Sequence, residues 1–280
     1  IFEYSDNRVE KWASYDDVWL RGYFGQDWAS AQVALKSVDK SAKTISTVHA
    51  STYAYKQGKR YYYMNVLDEL DVPGEWYLDR STGMLYLYPN VENFDKAEVT
   101  LSLLEDDLIH GEEVSYLTFK GLTVEAGRAN GITLQGDHNT VDSCTVTQLA
   151  GGGISATGNE NKIIGCEVSH MGAFGVSVTG GDRNTLTSAN NLIENCLIHD
   201  WGILQRTYQC GIHINGVGNK ATHNELYEAP HIAILYGGNE NEISYNIIHD
   251  VCQETTDAAA IYSGRDWTEQ GNKINYNYLY

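Results

Sequence analysis

Basic residues are scarce in this chain. Nineteen Lys and Arg stand against 37 Asp and Glu, a formal net charge of −18. That balance excludes a nucleic-acid partner, whose phosphates demand the opposite sign. It fits a neutral or cationic ligand or a metal-chelating site, and acidity also serves solubility. Proline is nearly missing, with only Pro73, Pro89 and Pro230. No apolar run approaches the ~18 residues needed to cross a bilayer, so no membrane partner is expected. A signal segment is missing too. The chain opens on Ile1-Phe2-Glu3-Tyr4 and stops at Tyr278-Leu279-Tyr280, and neither stretch has the character of a natural terminus. It reads as a fragment of something longer, and the missing signal says nothing about export. What is plentiful is Gly (27) and Tyr (20), a mixture suited to strands and tight turns. The 280 residues suffice for one large domain or two modest ones.

The second half repeats. The pattern Asn-x-apolar-x-x-(Cys/Asn)-x-apolar recurs from Asn139, Asn161, Asn191, Asn219, Asn241 and Asn272, with a degenerate copy at Leu117–Val124. Taking Leu122, Cys144, Cys166, Cys196, Asn224, Asn246 and Asn277 as the marker, successive intervals are 22, 22, 30, 28, 22 and 31 residues. The residue two past the marker is apolar in every copy. Gly-apolar pairs follow further on, at Gly131-Ile132, Gly153-Ile154, Gly175-Val176 and Gly211-Ile212. Short strands at a period near 22 predict a right-handed parallel β-helix, each inward side chain resting on its equivalent ~4.8 Å away. A leucine-rich repeat would need a Leu-x-x-Leu-x-Leu pattern that is absent. The recurrent Asn are expected to stack at a turn, hydrogen-bond along the ladder and tolerate the left-handed conformation. Cys144, Cys166 and Cys196 share the marker position and read as a buried ladder of small hydrophobes. Cys210 and Cys252 have no metal-finger spacing, so no zinc is expected.

Residues 1–112 lack the repeat and hold Trp12, Trp19, Trp28 and Trp76. Turn signals at Val72-Pro73-Gly74 and Ser81-Thr82-Gly83 bracket Glu75–Asp79, and Met84–Pro89 follows, which predicts a hairpin in a small, mostly antiparallel β domain. Its tryptophans are expected mainly in the core. The fold class is thus all-β: this domain at 1–112, then about seven solenoid coils over 113–280.

Two stretches resemble a known group. Asn65–Asp79 followed by Gly83–Pro89, and Asp257-Ala-Ala-Ala-Ile-Tyr-Ser-Gly-Arg-Asp-Trp-Thr268, are similar to segments of bacterial parallel-β-helix glycoside hydrolases of the β-xylosidase and fucosidase/xylanase type. The resemblance implies a secreted or periplasmic enzyme acting on plant or microbial glycans, with the β domain interrupting a solenoid that begins earlier. It matches Asp257 to the group's motif Asp. It also implies a second carboxylate about one coil further on, just beyond Tyr280.

Coils longer than 22 residues mark where function departs from the repeat. The coil after Cys166 gains eight residues within Gly180–Asn190, and the coil after Cys196 gains six between Ile198 and Gly211. The coil after Asn246 gains nine, on both sides of Ala260-Ile261. Stacking is expected to bring Asp200, Trp201, Arg206, Tyr208, Glu228, His231, Glu254, Asp257, Tyr262, Arg265, Asp266 and Trp267 to one side, the profile of a carbohydrate site. Glycoside hydrolysis needs two carboxylates, ~5 Å apart for retention or ~6.5–9.5 Å for inversion. Asp257 is the first choice, with Glu254, Asp200 and Glu228 as candidate partners. Trp201, Arg206, Tyr208, Glu228, His231, Tyr262, Arg265 and Trp267 are the expected substrate contacts. Arg265-Asp266-Trp267 also reads as a salt-bridged turn. His199 and His249, at one coil offset, should point outward, and His213 is similar but nearer the insertions.

Two alternatives stay open. A polysaccharide lyase or uronate epimerase uses the same fold, but needs a base beside a charge neutraliser such as Arg or Ca²⁺. No motif for Ca²⁺ or any other cofactor is present, and the net charge repels a polyanion. A non-catalytic glycan-binding or adhesin solenoid would keep the aromatics without the chemistry.

Overall fold

A computed structural model describes all 280 residues. It divides into two units, Ile1–Val99 and Thr100–Tyr280. The boundary lies ahead of the expected 112/113. Ile109–Gly111 already pairs with Ile132–Leu134, and Thr118–Lys120, within the degenerate copy, with Thr140–Asp142, so the solenoid starts one strand before its first repeat copy.

The second unit is a parallel β-helix of three seven-stranded sheets. Each sheet contributes inward columns to one core. The first column runs Phe119, Val141, Ile163, Ile193, Ala221, Ile243 and Ile274. The second runs Val124, Val146, Val168, Ile198, Leu226, Ile248 and Leu279. The third sheet supplies Ile109, Ile132, Ile154, Val176, Ile212, Ile234 and Ile261. From Ile132 to Ile248 most of these side chains are sealed from solvent. Each buried Ile or Val contributes roughly 1.5–3 kcal/mol relative to exposure. Glycine at 131, 153, 175 and 211 has a steric cause. A Cβ at Gly131 would sit 2.7 Å from Val146, at Gly153 2.5 Å from Val168, at Gly175 2.7 Å from Ile198 and at Gly211 2.8 Å from Leu226. The chain entering the third sheet therefore lies directly against the second column.

Each coil bends at left-handed residues five positions apart. One corner carries Tyr116, His138, Glu160, Asn190, Gly218, Glu240 and Gly271; the next Gly121, Ser143, Gly165, Asn195, His223, Tyr245 and Tyr276. The third carries Ala126, Gln148, His170, Asp200, Glu228 and Asp250. The recurrent Asn do not adopt the left-handed conformation themselves. They follow the corner residue, which turns them inward. There the Asn139 N–H donates to Asn161 Oδ1 at 2.9 Å, Asn161 N–H to Asn191 Oδ1 at 2.9 Å and Asn219 N–H to Asn241 Oδ1 at 3.0 Å. The marker position is a second such ladder, in which thiols and amides face equivalent carbonyls. Cys144, Cys166 and Cys196 point Sγ at the carbonyls of Phe119, Val141 and Ile163. Asn224, Asn246 and Asn277 donate Nδ2 to the equivalent carbonyls of Ile193, Ala221 and Ile243. All five cysteines are free.

The first unit is a five-stranded antiparallel sheet with strands in the order Phe2–Glu3, Thr44–Thr47, Ala29–Asp39, Trp19–Gln26 and Tyr61–Met64. Its core packs Val9, Trp12, Val18, Leu20, Phe24, Val33, Leu35 and Ile45. The expected hairpin is present as Trp76–Asp79 against Met84–Leu87. Asp79 caps its turn through Ser81 and Thr82, which hold the carboxyl down to about 2. Of the four tryptophans only Trp12 is buried; Trp76 is exposed.

Candidate functional site

The three loop segments that precede the third sheet do stack. Ala229 N–H donates to the Asp250 carbonyl at 3.1 Å, Cys252 N–H to His231 at 3.1 Å, Gln253 N–H to Ala229 at 3.2 Å and Glu254 N–H to Pro230 at 3.2 Å. The longer 202–205 loop folds back on the coil before it, through Gly202 N–H to the Ala173 carbonyl at 2.8 Å and Gln205 N–H to Gly172 at 2.8 Å. Across the stack Arg206 forms an ion pair with Glu254, its Nε donating at 2.5 Å. Coils two apart are thereby joined.

An open cleft of about 380 Å³ lies here, lined by Asp200, Trp201, Ile203, Arg206, Glu228, Ala229, Pro230 and Gln253. Asp200 and Glu228 reach it from the same left-handed corner of adjacent coils. Asp200 is hydrogen-bonded to His199 Nδ1 at 2.8 Å. The expectation for Trp201 is not met. Its ring is 1% exposed and packs in the solenoid core, so it floors the cleft and cannot lay a face against a ligand. The first residue after the left-handed corner is turned inward, as the Asn are, which puts Trp201 inside.

Next along the same loops lies a second group. His231 is 4% exposed and its Nδ1 has no partner. Burial pushes its imidazole below the usual range, partly opposed by the Gln209 backbone and the Asp257 charge. The exposed Tyr208 ring stands 6.2 Å from it. Asp257 is exposed and left-handed, with φ of 52°. It does not begin the strand, which starts at Ile261; it sits in the loop four residues earlier.

Arg265, Asp266 and Trp267 are placed differently from expectation. They follow the strand Ile261–Tyr262, whereas Asp257 precedes it, so strand and sheet face separate them. They form the opposite rim. There Arg183, the lone cation in the eight-residue insertion, donates to Asn239 Oδ1 at 2.9 Å, Asp266 Oδ2 at 2.8 Å and Thr268 Oγ1 at 3.0 Å. Thr268 and Arg183 together hold the Asp266 carboxyl down to about 2. Arg265 is exposed and Trp267 is 96% exposed. Glu269 accepts from Gly238 N–H at 3.0 Å and Ser263 Oγ at 2.6 Å, and a Cβ at Gly237 would come within 3.2 Å of it. Sequence reasoning missed Arg183 and Glu269. The length of the first insertion was the available signal for Arg183.

Between the rims lies the outer face of the third sheet. Its outward column is Thr133, Ser155, Ser177, His213, Leu235 and Tyr262. Burial lowers the His213 imidazole, and Ser177 Oγ lies 3.4 Å from its Nδ1. His199 and His249 do point outward, but into a stack with Tyr227 and Tyr280 at ring spacings of 4.7, 5.0 and 4.8 Å. No three His, Cys, Asp or Glu side chains are grouped to hold a metal ion.

A family model described as "Right handed beta helix region" matches residues 107–207. A solved structure described as a glycoside hydrolase superposes with a TM-score of 0.78 at 17% identity, covering 94% of this chain and 59% of that one. The fold is a right-handed parallel β-helix. At that identity the likeness is one of fold, and the chain spans well under two thirds of the neighbour's length. No curated protein sequence matches.

Proposed function

We propose that this chain acts in glycoside hydrolysis, with Asp257, on its solenoid unit, as a catalytic carboxylate. The observation that carries the reading is the stacking of three consecutive loop segments, which sets Asp200, Glu228, Glu254 and Asp257 beside Arg206, Tyr208 and His231 on one rim of an open sheet face. The fold neighbour described as a glycoside hydrolase supports it.

Two carboxyl groups are required, one to protonate the leaving oxygen and one to attack or to activate water. Asp257 is exposed and can reach a saccharide. Glu254 is committed to Arg206, so its role is to fix the loop. Within the chain, Glu228 and Asp200 remain the partner candidates. His231, kept neutral by burial and with Nδ1 unpartnered, suits recognition of a sugar hydroxyl. The lyase reading loses a neutraliser, because Arg206 is already paired.

The test incubates the full-length protein with xylo-oligosaccharides, fucosides and uronate polymers. New reducing ends without unsaturated products support hydrolysis; unsaturated products mean elimination, and no product favours a binding role. Asp257→Asn is expected to lower turnover by at least about 10³-fold. Undiminished hydrolysis by that variant removes Asp257 from the mechanism.

A further inference from the structure

The loop that carries Trp267 is anchored from far away in sequence. Arg183 belongs to an arm closed on itself, where Asp182 and Thr187 exchange backbone hydrogen bonds at 2.9 and 3.0 Å. Its guanidinium makes three directed bonds, to Asn239, Asp266 and Thr268. Asn239 is buried and in turn donates Nδ2 to the Thr268 carbonyl at 3.0 Å. Asp266 accepts from the Thr268 N–H at 2.9 Å. Every bond in this set holds the base of the loop, and none touches Trp267 at its tip. A fully exposed indole is costly in water, yet here it stands on a loop fixed by a fork of charge-assisted hydrogen bonds.

The rim's position matters as much as its rigidity. Asp257 lies in the loop before the final strand of the third sheet and Trp267 in the loop after it. The neighbouring strand Ile234–Asn239 has six residues, so at ~3.3 Å each the face is roughly 20 Å from rim to rim. A disaccharide engaged at the Asp257 rim cannot reach Trp267. A chain of several sugar rings laid along the strands, crossing the Leu235–Tyr262 column from rim to rim, can.

We propose that Trp267 is the far wall of the saccharide groove, a stacking platform that reads chain length, and that Arg183 is the positioning residue that holds it there. The inference rests on the carbohydrate reading above and deepens it: the substrate class is an oligo- or polysaccharide engaged over several units.

The test measures dissociation constants by calorimetry for the full-length protein in an Asp257→Asn background, which blocks turnover. The probes are dimers and hexamers of xylose, glucose, mannose and galacturonate. A hexamer is expected to bind about tenfold tighter than its dimer, a contact of about 1.4 kcal/mol. Trp267→Ala should collapse that ratio to near one without changing the melting temperature. Arg183→Ala should collapse it too, and Arg183→Lys, which keeps the charge but not the fork, should restore only part. A ratio that survives Trp267→Ala overturns the proposal while leaving the carbohydrate reading in place. So does hexamer binding no tighter than dimer binding. Failure of every probe to bind overturns both.

Discussion

Among single residues, the histidines separate most cleanly by environment. His249 is hydrogen-bonded through Nδ1 to Asp250 at 2.9 Å and lies 3.5 Å from Glu225, and these partners raise its pKa against a smaller burial effect. His213 and His231 are lowered by burial. An NMR titration of the full chain should therefore place His249 above the ordinary value near 6.5 and the other two below it. The linkage signs are opposite. The raised His249 stabilises the fold fully below about pH 6.5, and that contribution fades as pH rises through its folded value. The buried pair contributes fully above about pH 6.5 and loses that contribution as pH falls through the lowered values. His249→Gln should abolish the first component alone. If His231 titrates above 6.5, the burial argument for its neutral state fails.

Among elements, the two inward ladders carry the most specific expectation. Asn224 is sealed from solvent, donates to the Ile193 carbonyl and to Asn246 Oδ1, and accepts the Cys196 N–H. Asn224→Ala takes a partner from polar groups on the two neighbouring coils and should cost about 2–4 kcal/mol. Asn224→Cys should cost roughly half of that, because thiols at Cys144, Cys166 and Cys196 already serve the same carbonyls one coil back. Equal melting temperatures for the two variants would contradict the equivalence. This part of the fold was legible because stacking repeats the same side chain at the same offset, so one alignment reads the register of two sheets. The site was legible only where it obeys the repeat. Coil length located the insertions, and the stacking of residues 202–205, 229–231 and 252–254 followed from it. It could not say that Trp201 turns inward, since that depends on the conformation of the single corner residue before it. Nor could it pair Arg183 with Asp266, 83 residues on, because insertions leave the lattice and choose partners by their own loop geometry. The first unit has no repeat at all; its antiparallel β class and its hairpin, set by local turn chemistry, were readable, but its strand order was not.

At the level of the whole molecule, charge is the property that sorts substrates. A net charge of −18 on 280 residues opposes the approach of a uronate polymer, and Arg206, bound to Glu254, leaves little on the loop rim to offset it. Repulsion of this kind is screened over ~10 Å at 0.1 M salt and ~3 Å at 1 M. Galacturonate hexamer binding should therefore strengthen several-fold between about 0.05 and 0.5 M NaCl, while a neutral xylose or mannose hexamer binds equally at both, its contacts being hydrogen bonds and ring stacking. A binding protein built for uronates behaves oppositely, its affinity falling with salt as paired charges are screened. Calorimetric titrations at the two ionic strengths separate these cases without any product being formed. Galacturonate affinity that drops with salt would put the lyase reading ahead of hydrolysis and displace Asp257 from the centre of the chemistry.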